Sequence, residues 1–230
     1  SATNWCLNLP VLSAGAHEVE PARLPRFDPA QVEGNDNRST ATFIMSDGDN
    51  VQWFLGGFFR AQDGWWNSPD RGRFAFGWSC PFTHLRYLCP QAIDYAVETR
   101  SNNCWFVEWG GGYYYPDLFA QKRENRWELL AAHARRVGKV MSETGVDTLG
   151  VIVMDIDSPE AMRAHEVIAG EVPGLLGIVA MQYAPYEGGE GEVFQVKGQR
   201  GGMVPVICAS YSLWNNTTRP RSGTPAKVAR

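Results

Sequence analysis

The sequence predicts an α/β domain made of parallel βαβ units, and three observations carry that prediction. Short apolar runs rich in β-branched and aromatic residues recur along the chain. Helical patterns lie between them. Of the 230 residues, 44% are hydrophobic, enough for one large core. Six strand-length runs fit a complete or incomplete (β/α) barrel-like domain better than a two-layer sandwich.

Taken in order, residues 1–40 lack a sustained period and contain Pro10, Pro21, Pro25, Pro29 and Gly34. They read as an irregular lead-in lying over a main domain of residues 41–230. The runs Ala41–Ser46, Phe74–Trp78, Cys104–Val107, Leu149–Met154, Leu175–Met181 and Val204–Ala209 read as buried strands. Glu190–Lys197 reads as a short extra strand or hairpin. The clearest helix spans about Glu124 to Glu143, where Trp127, Leu130, Ala134, Val137 and Met141 form one stripe. Gly145 then stands where a C-terminal cap belongs. Further helices are expected over Val51–Phe59 and Pro90–Arg100. Another follows Asp157-Ser158-Pro159-Glu160, which orders an N-cap, an early proline and a first-turn acid.

Composition narrows the function. The net charge of −4 comes without a basic stripe, which argues against a nucleic-acid partner. The longest apolar run, Leu149–Met154, falls far short of the roughly 20 residues of a membrane span. Nine Trp, eight Tyr and eleven Phe are many for such a domain. Core packing accounts for most, and rings left near Gly and Asp suit stacking on sugars. Five cysteines without CxxC spacing argue against a zinc knuckle or a thioredoxin-type motif, and the odd number leaves at least one unpaired within the chain. The glycosylation acceptor patterns at Asn37, Asn215 and Asn216 favour an extracellular or luminal location. A chain that opens at Ser1 and closes at Arg230 inside a helix-like pattern reads as processed or partial.

In parallel α/β folds, ligands gather at the carboxyl ends of strands. Here those ends run into Asp47-Gly48-Asp49-Asn50, Glu108-Trp109, Asp155-Ile156-Asp157, Gln182-Tyr183 and Ser210-Tyr211. Five strands thus deliver acids, amides and aromatics to one rim. Asp49 serves equally well as a helix cap, and Asp157 reads as a cap because Glu160 follows at capping-box spacing. Asp155 lacks that alternative. Glu108 lies among Trp105, Phe106 and Trp109, an apolar setting that raises a carboxyl pKa and suits a general acid; the alternative is an ion pair with Arg73 or Arg86. The two Asp-x-Asp patterns also fit a divalent cation, without matching an EF-hand loop, so no cofactor is expected beyond such an ion. The four histidines offer no ligand pair, and His133 on the long helix reads as solvent-facing. Serine-elbow, Walker and HExxH motifs are missing from the sequence.

Gly110-Gly111-Gly112-Tyr113-Tyr114-Tyr115-Pro116 fits Gly-x-Gly-Tyr-x-Tyr-Pro at every fixed position. On this motif the sequence resembles the C-terminal domain of the GxGYxYP putative glycoside hydrolase family. Ser46–Trp53, Gly77-Trp78 with Pro81, and Ser210–Trp214 look like the same family, so the resemblance spans about residues 40–215. It implies a carbohydrate partner, and in family members a further N-terminal domain, absent here or reduced to residues 1–40. It brings no catalytic assignment with it.

The residues themselves suggest one carboxyl protonating a leaving oxygen and another activating water or attacking carbon. Glu108 is expected as the acid and Asp47 as base or nucleophile, with Asp49 and Asp155 as alternates or metal ligands. Trp53, Trp78, Trp109, Gly110, Gly112, Tyr113, Tyr115, Tyr211 and Trp214 are expected to line sugar subsites. The rival expectation is a non-catalytic extracellular glycan-binding or structural module. A metal-dependent transferase or esterase is a third.

Overall fold

A computed structural model describes residues 14, 21–25, 27–28, 30, 41–45, 50–183, 186–213 and 221–228. Asp47, Asp49, Trp214 and the three acceptor asparagines lie outside the described residues. The chain forms two compact units, Ser1–Gly112 with Val140–Asp147, and Tyr113–Lys139 with Thr148–Arg230.

In the first unit three parallel strands follow one another, β1 (Ile44–Met45), β2 (Phe76–Cys80) and β3 (Cys104–Glu108), with Ile44 opposite Gly77 and Phe76 opposite Cys104. Between β1 and β2 lies α1 (Val51–Trp53), which widens into a π-helical turn over Phe54–Phe58. Asn50 caps α1: its Oδ1 accepts the Trp53 N–H at 3.0 Å. Between β2 and β3 stand two helices, α2 (Phe82–Leu88) and α3 (Pro90–Thr99). The sequence suggested only a turn where α2 forms, because seven residues between Pro81 and Cys89 hold barely two turns of pattern.

The core of this unit is aromatic. Phe54 stacks on Phe58 at 4.5 Å, Trp66 on Phe106 at 5.7 Å, and Trp78 packs against both Phe58 and Trp66. Trp66 is fully buried and satisfies its indole N–H on Thr99 Oγ1 at 2.9 Å. Among the described residues, seven aromatic side chains are thus buried in this core, Phe54, Phe58, Trp66, Trp78, Phe82, Phe106 and Trp109, while many other rings keep exposed surface, a smaller share in the core than expected. The segment before β1 is tied to the same unit, with the Leu24 N–H donating to Thr144 O at 2.8 Å and the Ala22 N–H to Asp94 Oδ1 at 2.7 Å.

In the second unit α4 (Arg126–Thr144) begins, and of its predicted stripe Leu130, Ala134, Val137 and Met141 are buried, while Trp127 in the first turn is half-buried under the Arg126 guanidinium. His133 is not turned to solvent as expected. Its ring packs 4.8 Å from Tyr114 and 5.7 Å from Phe119, because the same helix face that carries Leu130 and Ala134 meets these rings. β4 (Thr148–Val153), α5 (Pro159–Glu171), β5 (Gly177–Gln182), β6 (Val193–Lys197) and β7 (Met203–Cys208) follow, then the short α6 (Pro225–Val228). The strands lie in the order β4-β5-β7-β6, parallel except for β6, which pairs antiparallel with β7. Ser158, not Asp157, caps α5, its Oγ accepting the Ala161 N–H at 3.1 Å. The fold is mixed α/β with mostly parallel strands, the class of an incomplete barrel-like domain.

Gly145 ends α4, its N–H donating to Met141 O at 2.8 Å and its φ at +80°. A Cβ there would stand 2.3 Å from the Leu24 carbonyl oxygen. Gly145→Ala is therefore expected to lower stability by about 1–3 kcal/mol and to speed proteolysis near Leu24, both read from urea titration and limited digestion.

Candidate functional site

Glu108 ends β3, and its side chain has no solvent exposure. An ionised carboxylate in that position needs donors, and backbone supplies them. The Thr83 N–H, in the first turn of α2, donates to Oε2 at 3.0 Å, and the Gly111 N–H donates to Oε1 at 3.1 Å. Burial pushes the Glu108 pKa up to about 7, against the opposing pull of the Thr83, Gly111 and Phe82 donors. The ion pair considered as an alternative is not formed with either arginine: Arg86 bonds Glu143 at 3.1 Å and Arg73 bonds Asp70 at 2.7 Å. Cys80 stands opposite Glu108 in register, and burial, then the charge of Glu108, pushes its thiol well up. That thiol stays protonated and is no nucleophile.

The three glycines after Trp109 all have positive φ, and the last could hardly be otherwise: a Cβ on Gly112 would lie 2.5 Å from His84 Cε1. Within the second unit the motif continues as a tyrosine group. Tyr113 and Tyr115 share a hydroxyl–hydroxyl bond of 2.8 Å, and Tyr115 meets Tyr183 edge-on at 5.3 Å. Tyr183 in turn packs on Tyr186 at 6.2 Å. Tyr113 is 57% exposed and Tyr183 39%, so ring faces and hydroxyls are offered to solvent.

Two residues past Tyr115 stands an acid that the sequence reading passed over. Asp117 is buried, and its Oδ2 accepts the N–H groups of Met154 at 2.9 Å and Asp155 at 3.2 Å. Burial raises its pKa while these donors pull it back. The available signal was its place in the first turn after the motif's proline. Asp155 itself is exposed, and its Oδ1 accepts the Asp157 N–H at 3.2 Å, ordering the loop after β4.

The remaining predicted residues separate by burial. Trp78 and Trp109 lie in the core of the first unit, 8% and 2% exposed, Trp78 packed among Phe58, Trp66 and Phe76. Gly110 is buried. Trp53 is half-buried, edge-on to Trp65 at 5.2 Å. Tyr211 is exposed, with the Arg221 guanidinium 5.7 Å from its ring centre. Among the described residues, no group of three or more His, Cys, Asp or Glu side chains is arranged to hold a metal ion, and no helix is long and apolar enough to cross a membrane.

A parallel α/β fold with a buried strand-end acid, followed at once by a glycine-tyrosine loop, defines the class. Residues 37–227 match the model of the GxGYxYP putative glycoside hydrolase C-terminal domain, and the chain belongs to that family. It is also similar to a solved structure from Bacteroides thetaiotaomicron VPI-5482, described as a putative hydrolase, with a TM-score of 0.75 at 21% sequence identity. That likeness is one of fold. The match covers 98% of this chain and 40% of that one. No curated protein sequence matches.

Two outcomes are expected. Because the folded pKa of Glu108 is raised from 4.5 to about 7, its stabilising contribution is complete below about 4.5 and lost as pH rises towards 7. Relative to Glu108→Gln, the wild type should lose on the order of 3 kcal/mol across that window, read from urea midpoints at each pH. Asp117→Ala, which strands two backbone donors, should cost about 1–3 kcal/mol, whereas Asp117→Asn keeps an acceptor and should cost less.

Proposed function

We propose that the chain is a glycoside hydrolase domain in which Glu108 protonates the leaving oxygen of a glycosidic bond. What supports this most is the Glu108 carboxyl: a strand-end acid, sealed from water and held up to about 7 by burial, five residues ahead of the first motif tyrosine. Such an acid keeps its proton near neutral pH, as glycosidic cleavage requires. As the C–O bond breaks, the proton passes to the departing oxygen, and the carboxylate left behind is held by the Thr83 and Gly111 N–H groups. Asp47 is assigned as base or nucleophile, with Asp49 and Asp155 as alternates. Tyr113, Tyr115 and Tyr183 supply flat faces and hydroxyls for sugar rings. The family description supports the same reading, and the acceptor asparagines support a secreted location.

One observation favours a second reading, a glycan-binding module without turnover. Both oxygens of Glu108 are engaged by backbone donors and neither reaches solvent, which is also the pattern of a carboxyl that only braces a loop.

Release of reducing ends from a polysaccharide panel separates the two. The hydrolase reading expects release that falls as pH rises through about 7 and drops by about 10²–10⁴ in folded Glu108→Gln. Unchanged turnover in that variant would remove Glu108 from the chemistry. Retained glycan binding without release would establish the module.

A further inference from the structure

We propose a second carbohydrate site on the first unit, at the N-terminal end of β3, shaped for a single sugar ring. It rests on the carbohydrate partner of the preceding reading, and its central residue, Trp105, lies three residues before Glu108, roughly 10 Å along the same strand.

A cavity of about 190 Å³ opens there, and its lining includes Leu24, Pro25, Arg100, Asn102, Trp105 and Asp147. That is smaller than the roughly 300–1,000 Å³ of a drug-sized pocket. Trp105 is the unusual member. Of the five residues of β3 it alone is exposed, at 47%, while Cys104 and Phe106 on either side are buried. An indole kept half in water on a core strand leaves apolar ring surface open to a ligand. Phe27 touches it edge-on, with ring centres 5.5 Å apart and planes at 87°, a contact that does not cover the indole by stacking.

Around that face stand three polar groups of different kinds. Arg100 uses Nη1 to donate to Val97 O, one of the five donors a guanidinium carries. Asn102 is exposed and brings an amide that both donates and accepts. Asp147 brings a carboxylate, whose Oδ2 accepts the Phe27 N–H at 3.4 Å. A flat apolar face with donors and acceptors at its rim complements a pyranose, which has C–H groups on its faces and hydroxyls around its edge. The carboxylate in the lining disfavours a phosphate or sulfate, and three polar groups in one small cavity disfavour an apolar peptide. The wall made by Leu24 and Pro25 is fixed by the Leu24–Thr144 and Ala22–Asp94 hydrogen bonds. Binding here would hold a polymer to the domain while leaving Glu108 unoccupied.

The test is affinity electrophoresis of the full chain in gels cast with soluble β-glucan, xylan, mannan or starch, beside reducing-end release from the matching hexaoses. The wild type should be retarded by at least one polymer. Trp105→Ala and Arg100→Ala should each weaken that binding by about fivefold or more, the scale of one aromatic contact, and leave hexaose release unchanged. Trp105→Phe, the variant least apt to disturb folding, should weaken it less. Retardation of both alanine variants equal to wild type would overturn the site, as would a wild type retarded by none of the four polymers. Hexaose release that persists in either case would leave the hydrolase reading standing. Weakened binding without any release would keep this site and remove that reading.

Discussion

A carboxyl group sealed inside protein is costly unless backbone donors meet it, and the end of β3 is built around that requirement. Glu108 draws in the first turn of α2 through Thr83 and the glycine loop through Gly111. Ten residues span Glu108 to Asp117, and each end of the stretch is a buried acid gripping backbone N–H groups of its own unit. In the first unit this fixes the turn from which the tyrosine motif begins. In the second it joins the motif's proline turn to the end of β4. The glycines between them supply the positive-φ turn that such anchoring demands.

The alternation of elements was legible because strand-length apolar runs and a long helical stripe are strong local signals. Every expected strand has a counterpart within a few residues, and the extra segment near Glu190 became β6. What stayed hidden depended on packing or on choices between neighbours. The π-turn over Phe54–Phe58 is read from the fold and not from propensity, since Gly56 and Gly57 leave the local backbone undecided. Ser158 over Asp157 is a choice between adjacent residues of similar capping strength. Of the candidate site, Glu108 and the motif tyrosines could be picked out from their place after strands. The burial of Trp78 and Trp109 could not, because a tryptophan beside a strand end serves core and subsite equally well. Asp117 was missed because an Asp after Pro reads as a solvated turn residue.

The same burial that engages the glycine loop also raises the Glu108 pKa. A carboxyl exposed on a rim would titrate as an ordinary carboxylate and hold no proton near pH 7. Sealed behind the glycine loop it keeps one, at the expense of stability once ionised. Fold alone does not assign chemistry, and many α/β domains carry unrelated activities. Here the proposed assignment leans on one buried carboxyl and on the tyrosine motif that follows it in sequence, in a family described by a glycosidase name.

The most direct measurement is a ¹³C carboxyl NMR titration of the intact chain, with the Glu108 resonance assigned by its loss in Glu108→Gln. The account predicts a single carboxyl titrating at about 7, well apart from the surface acids. A Glu108 resonance titrating at the ordinary 4.5 would contradict it, leaving the buried side chain as an anion held by its backbone donors and without a proton to give.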